Sequence, residues 1–545
     1  MANKKRNSFY IQGSILAAAS ILSRLIGLAF RVPISRMLGD EGYGAYCNAY
    51  EIYSMALLLS TFSIPMAVSK LVSAKENRRQ YVNSFRILKV SFVFSCLIGL
   101  TMACLVWFFG DDIASFLIKS PNSALPLKTL APTVFVFALM SVLRGFFQGK
   151  NTVLPTSISQ ILEQIVHVAC GIAFASVFLK IFADKDNSFA YGAAGATLGT
   201  LAGAVIALMF LTFVYCIYRP TLMRRLTRDN TGERDSYSML LKMLVVTVVP
   251  IILNQFLYSV TGNIDSVLLN HIMSVKGVDE NTRLILFGRY SGKFRLLVNV
   301  PLAMASAIGV AIIPNIVAAF TKNDENEIKT KLHQAVKLNM MIAIPCAFGL
   351  IALAGPIMQV ILGDSSEMSK RLMEIGGMSV VFYAYSTTTN SILQGMGKLK
   401  YPVIHAVAGI LIYIVVDFGV MYFTDFGVYT LAVGYMIFPF TVGILNRIRI
   451  GKETDYRQEN LKTFILPTLY SAIMASAAFL VYEGMTEVFQ VKYIEAIALI
   501  LSILVAVIVY ICFMIFTRTV SEEELLEFPM GRRIADIIKK TGFKL

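Results

Sequence analysis

Residues 148–155 read Gln-Gly-Lys-Asn-Thr-Val-Leu-Pro, and residues 394–402 read Gln-Gly-Met-Gly-Lys-Leu-Lys-Tyr-Pro. Each stretch closes one apolar run and opens the next. Pro155 and Pro402 fall at the first helical turn, where a missing N–H costs nothing. A second pair repeats at the same distance: Gly-Ala-Tyr at 44–46 precedes Ile64-Pro65 much as Gly-Lys-Phe at 292–294 precedes Ile313-Pro314. The offsets all lie between 246 and 249 residues, the signature of an internal duplication.

The apolar runs around these markers define the class. Only 15% of the 545 residues are charged and 56% are hydrophobic, with a mean hydropathy of +0.66. Soluble domains carry about 25% charge, so a set of ordinary globular domains is excluded. Runs of about 20–30 residues also exclude a β-barrel, whose strands need about ten. Fourteen windows are long enough to cross a bilayer: 10–37, 44–73, 85–109, 126–148, 153–181, 189–217, 239–272, 287–320, 334–355, 371–395, 402–423, 427–447, 461–482 and 493–517. The windows 111–120 and 356–364 read as short interfacial turns. Six spans separate the copies, and six is even, so both copies enter the membrane in the same direction. The expected fold is an all-α polytopic membrane protein of two parallel six-helix lobes, related by a pseudo-two-fold axis along the membrane normal. This reading gives an N-terminal lobe over 1–217, a linker at 218–237 and a C-terminal lobe over 238–448. Helices thirteen and fourteen follow over 449–518, with an amphipathic tail over 519–545.

Charge in the loops sets the orientation. One alternate set carries Lys75, Arg78 and Arg79, Lys150, then Arg219, Arg224, Arg225, Arg228 and Arg234, and later Lys322, Lys329, Lys398, Lys400, Arg447 and Lys452. The other carries Asp40, Glu41, Asp111, Asp112, Asp184, Asp186, Asp279, Glu280, Asp364, Asp425 and Glu483. The positive-inside rule makes the first set, and both termini, cytoplasmic. The net charge of +15 is thus a topology signal, and no nucleic-acid partner is expected. Lys4, Lys5 and Arg6 precede a run too long for a signal h-region and interrupted by Arg24 and Arg31, which reads as a retained first span.

Ionisable groups inside a span cost roughly 2.5–3.5 kcal/mol each on insertion scales, so each needs a partner, a cavity or a task. Arg24 and Arg31 lie seven apart on one helical face. Arg24 has two readings: an ion pair with Glu51 or Glu163, or a donor fork in a wet cavity matched to an anionic oxygen cluster. For Arg31, snorkelling to headgroups competes, and for Lys70, near the cytoplasmic end of its helix, snorkelling is the simpler reading. Snorkelling competes for Lys293 and Arg295 too, though they begin the copy of the second helix, beside the lobe interface. Glu163 and His167, spaced i,i+4, can touch or form a protonatable site. Asp265 follows Asn254, Gln255 and Asn263 in a polar stripe that serves as interhelical glue or as an ion or headgroup contact. Asp417 stands alone in helix eleven, a candidate cation ligand or one half of a buried pair.

Catalysis finds little support. The longest extramembrane segments carry no phosphate-binding loop, nucleophile elbow, metalloprotease motif or paired carboxylates, which argues against an ATP-driven pump and a polytopic glycosyltransferase. The seven cysteines show no metal-ligand or CxxC spacing and read as small hydrophobes. His271, His333 and His405 have no ligand spacing either.

The segment Ser23-Arg24-Leu-Ile-Gly27-Leu-Ala-Phe-Arg31, closing on Leu38-Gly39, resembles the first-helix motif of lipid II flippases of the MurJ type. Pro155-Thr-Ser-Ile-Ser-Gln160-Ile-Leu-Glu163-Gln164-Ile-Val resembles the branch containing stage V sporulation protein B. Both belong to the multidrug/oligosaccharidyl-lipid/polysaccharide (MOP) exporter superfamily. The resemblance implies an alternating-access transporter that moves a lipid-linked cell-wall precursor from the inner to the outer leaflet of a bacterial cell membrane. Helices thirteen and fourteen would then form a groove for the polyprenyl tail. It carries the cavity arginines over to Arg24, to Arg31 (one residue beyond the usual spacing) and approximately to Arg295. The second span offers Glu51 where MurJ proteins have arginine, and His167 stands in another arginine position, which leaves room for a different lipid-linked sugar. The expected protein is a monomeric flippase, not an enzyme, with Arg24, Arg31, Arg295, Glu51, Glu163 and Asp265 facing substrate. Asp417 and His167 are the candidates for ion coupling. Its partners are a lipid-linked saccharide and membrane lipids. No cofactor is expected beyond coupling to the membrane potential or a monovalent cation. Export of another lipid-linked polysaccharide unit, or cation-coupled drug export, is the alternative.

Overall fold

Helix α1 (Ala2–Leu57) joins the first two expected spans, and Gly39 marks the join with φ 68° and ψ 177°. That left-handed backbone is open to glycine at no steric cost, so the chain turns at the end of the first span without a loop. The structure, a computed structural model, describes residues 2–322, 325–489, 493–517 and 519. The tail assigned to 519–545 falls almost wholly outside them.

Among the described residues every regular element is helical. After a π-helical turn (Leu58–Phe62) come α2 (Ile64–Asn77), α3 (Tyr81–Phe108), the single turn α4 (Gly110–Asp112), α5 (Ala124–Gly149), α6 (Leu154–Ile181) and α7 (Ser188–Leu226). Pro65 and Pro155 sit in the first turns of α2 and α6. An extended linker leads to α8 (Tyr237–Val275), capped by Ser236, whose hydroxyl accepts from Met239 N at 3.2 Å. Then come α9 (Glu280–Phe287) and a π-helical turn (Gly288–Phe294). The rest is α10 (Arg295–Lys322), α11 (Glu325–Ala352), α12 (Ala354–Leu362), α13 (Glu367–Gly376), α14 (Ser379–Gly395), α15 (Lys400–Phe423), α16 (Tyr429–Thr454), α17 (Leu466–Val488) and α18 (Ile494–Phe516).

Ten helical segments of the described chain are long and apolar enough to cross a membrane. The difference from fourteen windows is local. The first two windows form one continuous segment, Leu25–Asn77. The window 371–395 is divided between α13 and α14, and α14 carries the polar run Ser386-Thr-Thr-Thr-Asn390. The window 239–272 lies in α8, a helix of 39 residues, and 287–320 runs from the end of α9 through the π-helical turn into α10, a helix of 28 residues.

The chain divides into two compact units between Gly292 and Lys293, beyond the linker at which the repeat places its boundary. The reason is packing: Leu240, Leu244 and Val248 of α8 share a buried cluster with Ile64, Val68, Leu71 and Val72 of α2, Ile87 of α3 and Phe146 of α5. A second cluster in this unit joins Tyr53 of α1 to Val106 of α3 and to Leu127, Leu130 and Val134 of α5. The linker is stitched down as well. Lys75 pairs with Asp235 at 2.5 Å, Arg86 donates to the Asp235 carbonyl at 2.7 Å, and Val82 N donates to Asp229 at 2.7 Å. In the second unit, Asn339 of α11 donates to the Ala305 carbonyl of α10 at 3.2 Å and to Thr388 of α14. Tyr510 of α18 donates to the Met341 carbonyl at 2.9 Å.

Candidate functional site

In the first unit, Tyr43, Tyr46, Tyr50 and Tyr53 follow one another at i, i+3, i+7 and i+10 on the second limb of α1, one stripe of the helix. Their rings follow one another with centroids 6.0, 5.5 and 5.3 Å apart, the first two pairs stacked and the third edge-on. Arg31, on the first limb, brings its guanidinium 5.8 Å from the Tyr50 ring centroid and beside the Tyr43 hydroxyl, which donates to the Gly292 carbonyl at 2.9 Å. Arg31 is half-buried and forms no ion pair with any described carboxylate. A guanidinium has five N–H donors in a rigid fork, and here much of that fork is left without an anion.

Glu163 and His167 stand on α6 where α7 presses closest. A Cβ on Gly203 would lie 2.5 Å from the Glu163 carbonyl oxygen, and one on Gly199 has no room against Gly171. Small residues at four-residue spacing permit such a close approach. Glu163 and His167 take different partners. Arg144 of α5 donates to Glu163 Oε2 at 2.8 Å and to Ser159 Oγ at 3.0 Å, while His167 Nε2 lies 3.2 Å from Thr200 Oγ1. The Phe30 ring covers the imidazole at 4.5 Å. Glu51 accepts from Ser291 Oγ at 2.9 Å. Asp265, 1% exposed, accepts from Tyr290 at 2.7 Å. Next to it on α8, Ser266 donates to Asn48 of α1 at 2.6 Å, so the polar stripe joins helices. The Arg24 side chain lies outside the described residues.

The second unit holds the other sites separately. Lys293 Nζ reaches Asp364 Oδ2 at 2.8 Å, and Ser369 Oγ donates to the same oxygen at 2.6 Å. Burial pushes the Asp364 carboxyl up, but Lys293, Ser369 and Ser366 outweigh it and hold the group well below the usual carboxylate range. The Arg295 guanidinium lies 5.4 Å from the Tyr435 ring centroid. Asp417 is fully buried on α15, its carboxylate directly against Gly434 of α16.

Sequence reasoning missed Arg144 and the pair Asp40–Arg289, in which Arg289 donates to Asp40 Oδ2 from Nε at 3.0 Å and from its terminal amine at 2.6 Å. The signal for Arg144 was present, because it is a cation inside the window 126–148. It stands one turn from the end of that window and was not among the intramembrane charges singled out.

The described residues form an all-helical polytopic chain with charged side chains buried in its spans, and the comparisons place it among the transporters of the MOP superfamily. The chain belongs to the polysaccharide biosynthesis protein family, whose model matches residues 12–320; a second model, MatE, matches residues 295–418. It is 25% identical over 406 residues to Stage V sporulation protein B of Bacillus subtilis (strain 168), covering 74% of this chain and 76% of that protein. It is 25% identical over 479 residues to Lipid II flippase MurJ of the same organism, covering 85% and 86%. The solved structure of lipid II flippase MurJ in its inward closed conformation superposes with a TM-score of 0.64 at 18% identity, over 92% of this chain and 98% of that one.

Proposed function

We propose that this transporter is a flippase, without enzymatic activity, for an undecaprenyl-pyrophosphate-linked cell-wall precursor. Lipid II is the preferred substrate, carried from the inner to the outer leaflet of the bacterial cell membrane by alternating access. The observation that carries this reading is Arg31, a half-buried guanidinium on a wall of tyrosines with no carboxylate to neutralise it. Phosphate oxygens fit such a fork in a bidentate manner, and an ammonium in its place does not reproduce the geometry. Tyrosine hydroxyls beside it suit a hydroxyl-rich headgroup. Arg24 and Arg295 complete the substrate cations, with Glu51, Glu163 and Asp265 as the polar frame and Asp417 and His167 as the ion-coupling groups. Moving an anionic headgroup outward gains about 2.3 kcal/mol per charge per 100 mV of inside-negative potential. The match to the polysaccharide biosynthesis family over 12–320 supports a second reading, in which the cargo is another lipid-linked polysaccharide unit. Depletion of the protein followed by mass spectrometry of lipid-linked precursors tests both. Accumulated lipid II supports the first reading, another accumulated lipid-linked glycan the second, and unchanged pools overturn both.

A further inference from the structure

The motif Gln148-Gly-Lys-Asn marks the repeat, and the structure gives it a second use. Gly145 and Gly149 let α5 lie almost on the backbone of α2. A Cβ on Gly145 would stand 2.7 Å from the Pro65 carbonyl oxygen, and one on Gly149 2.8 Å from that of Ser69. This close approach, of the kind small residues at four-residue spacing allow, sets Gln148 and Asn151 against the outward face of α2. Between them opens a groove of about 540 Å³, lined by Phe62, Pro65, Met66, Ser69, Lys70, Ser73, Gln148 and Asn151. That volume lies within the range of small-molecule sites, about 300–1,000 Å³.

The neighbouring cations are already engaged. Lys150 pairs with Glu76 at 2.8 Å and lies over the rings of Phe146 and Tyr218, and Lys75 pairs with Asp235. Lys70 makes no ion pair or hydrogen bond to any described residue. The groove therefore presents one available ammonium, four neutral side chains that both donate and accept, and an apolar end where Phe62 and Met66 are each 55% exposed. A phospholipid headgroup would answer the ammonium and leave most of the neutral groups unused. A free nucleotide would leave the apolar end in water.

We infer that this groove is a capture site for a lipid-linked saccharide phosphate, separate from the Arg31 wall. The phosphate lies on Lys70, sugar hydroxyls lie along Ser69, Ser73, Gln148 and Asn151, and the first prenyl units lie on Phe62, Pro65 and Met66. The groove shares no lining residue with the Arg31 wall, and twenty residues, up to about 30 Å of helix, separate Lys70 from Tyr50 along the chain. By the charge rule Lys70 stands at the cytoplasmic end, the leaflet in which such a substrate is made. The inference rests on the flippase reading and adds to it the first place the substrate is held.

Binding of dansylated lipid II to the full chain in nanodiscs tests this, with phosphatidylglycerol as the second probe and the wild type compared with Lys70→Gln, Ser69→Ala/Gln148→Ala and Arg31→Ala. Lys70 is exposed, so its replacement leaves the fold intact. Loss of a charge-assisted contact lowers lipid II affinity by about tenfold or more, with phosphatidylglycerol binding unchanged. Equal weakening of both probes makes the groove a bulk-phospholipid site and overturns the inference. Full lipid II affinity in Lys70→Gln, with loss in Arg31→Ala, overturns the capture site and leaves the flippase reading standing. A wild type that fails to bind lipid II overturns both.

Discussion

Arg144 and Glu163 form a buried ion pair across the α5–α6 turn, 2.8 Å between guanidinium and carboxylate, with both side chains about nine-tenths covered. Ser159 takes a second donor of the same guanidinium, and Gln164 donates to the other carboxylate oxygen at 3.3 Å. The pair occupies the one carboxylate on α6 that sequence reasoning offered to Arg24, and Arg31 makes no ion pair with it. The two arginines therefore call for opposite experimental outcomes.

Removing one member of a buried pair leaves an uncompensated charge, at a cost of about 3–5 kcal/mol. Arg144→Met and Glu163→Met are each expected to lower melting temperature and abundance. The double variant, which removes both charges, should recover most of the loss. Fluorescence-detected size-exclusion after heating measures all three. A double variant no more stable than either single one would show that the pair is not the unit of stability.

The charge asymmetry of the loops predicts the orientation. A single cysteine at Arg228, exposed in the linker, should react with a membrane-impermeant maleimide only after the cells are opened. Cysteines placed at Asp184 or Asp279 should react in intact cells. Labelling of the Arg228 position from outside would reverse every assignment of inner and outer end.

Lys293 and Asp364 supply the pH prediction. The Asp364 carboxyl is held below its ordinary value, so its contribution is complete above the unfolded pKa of about 3.9 and fades as the pH falls below it. The stability difference between wild type and Asp364→Asn should be constant from pH 8 to 5. Below about pH 4 it should narrow by about 1 kcal/mol per pH unit. Thermal melts across that range decide it, and a difference unchanged at pH 3 contradicts the assignment.

The parts of this fold that rest on one-dimensional signals were readable. Pro155 opens α6 where its missing N–H is harmless, and an all-helical chain follows from the length and hydropathy of the runs. What could not be read is which apolar face meets protein. Leu240, Leu244 and Val248 would be equally suited to lipid, because hydrocarbon is as apolar as a protein core. Nothing in their sequence says that they join the cluster of α2 and α3. The site shows the same division. Arg31 was visible as a charge in a span, and its tyrosine wall was visible as a periodic stripe that went unread. The partner of Glu163 was hidden, because i,i+4 proximity pointed to His167 while the turn between α5 and α6 delivered Arg144.

The last prediction concerns Arg31. No carboxylate pairs with it in the described structure, so its removal strands no buried charge and should leave abundance near wild type. Its lost contacts are a ring face and a tyrosine hydroxyl, worth about 1 kcal/mol together. Transport, by contrast, should fail in Arg31→Ala, because the phosphate of the substrate loses its bidentate partner. Arg31→Lys should remain impaired, since an ammonium supplies charge without the planar fork. Arg24→Ala is expected to behave in the same way, and Arg228→Ala, outside the membrane, to be nearly silent. Complementation of a flippase-depleted strain, read beside immunoblots of the same cells, separates function from folding. Loss of growth only in step with lost protein would place Arg31 with Arg144 as a structural cation and remove the main support for headgroup binding.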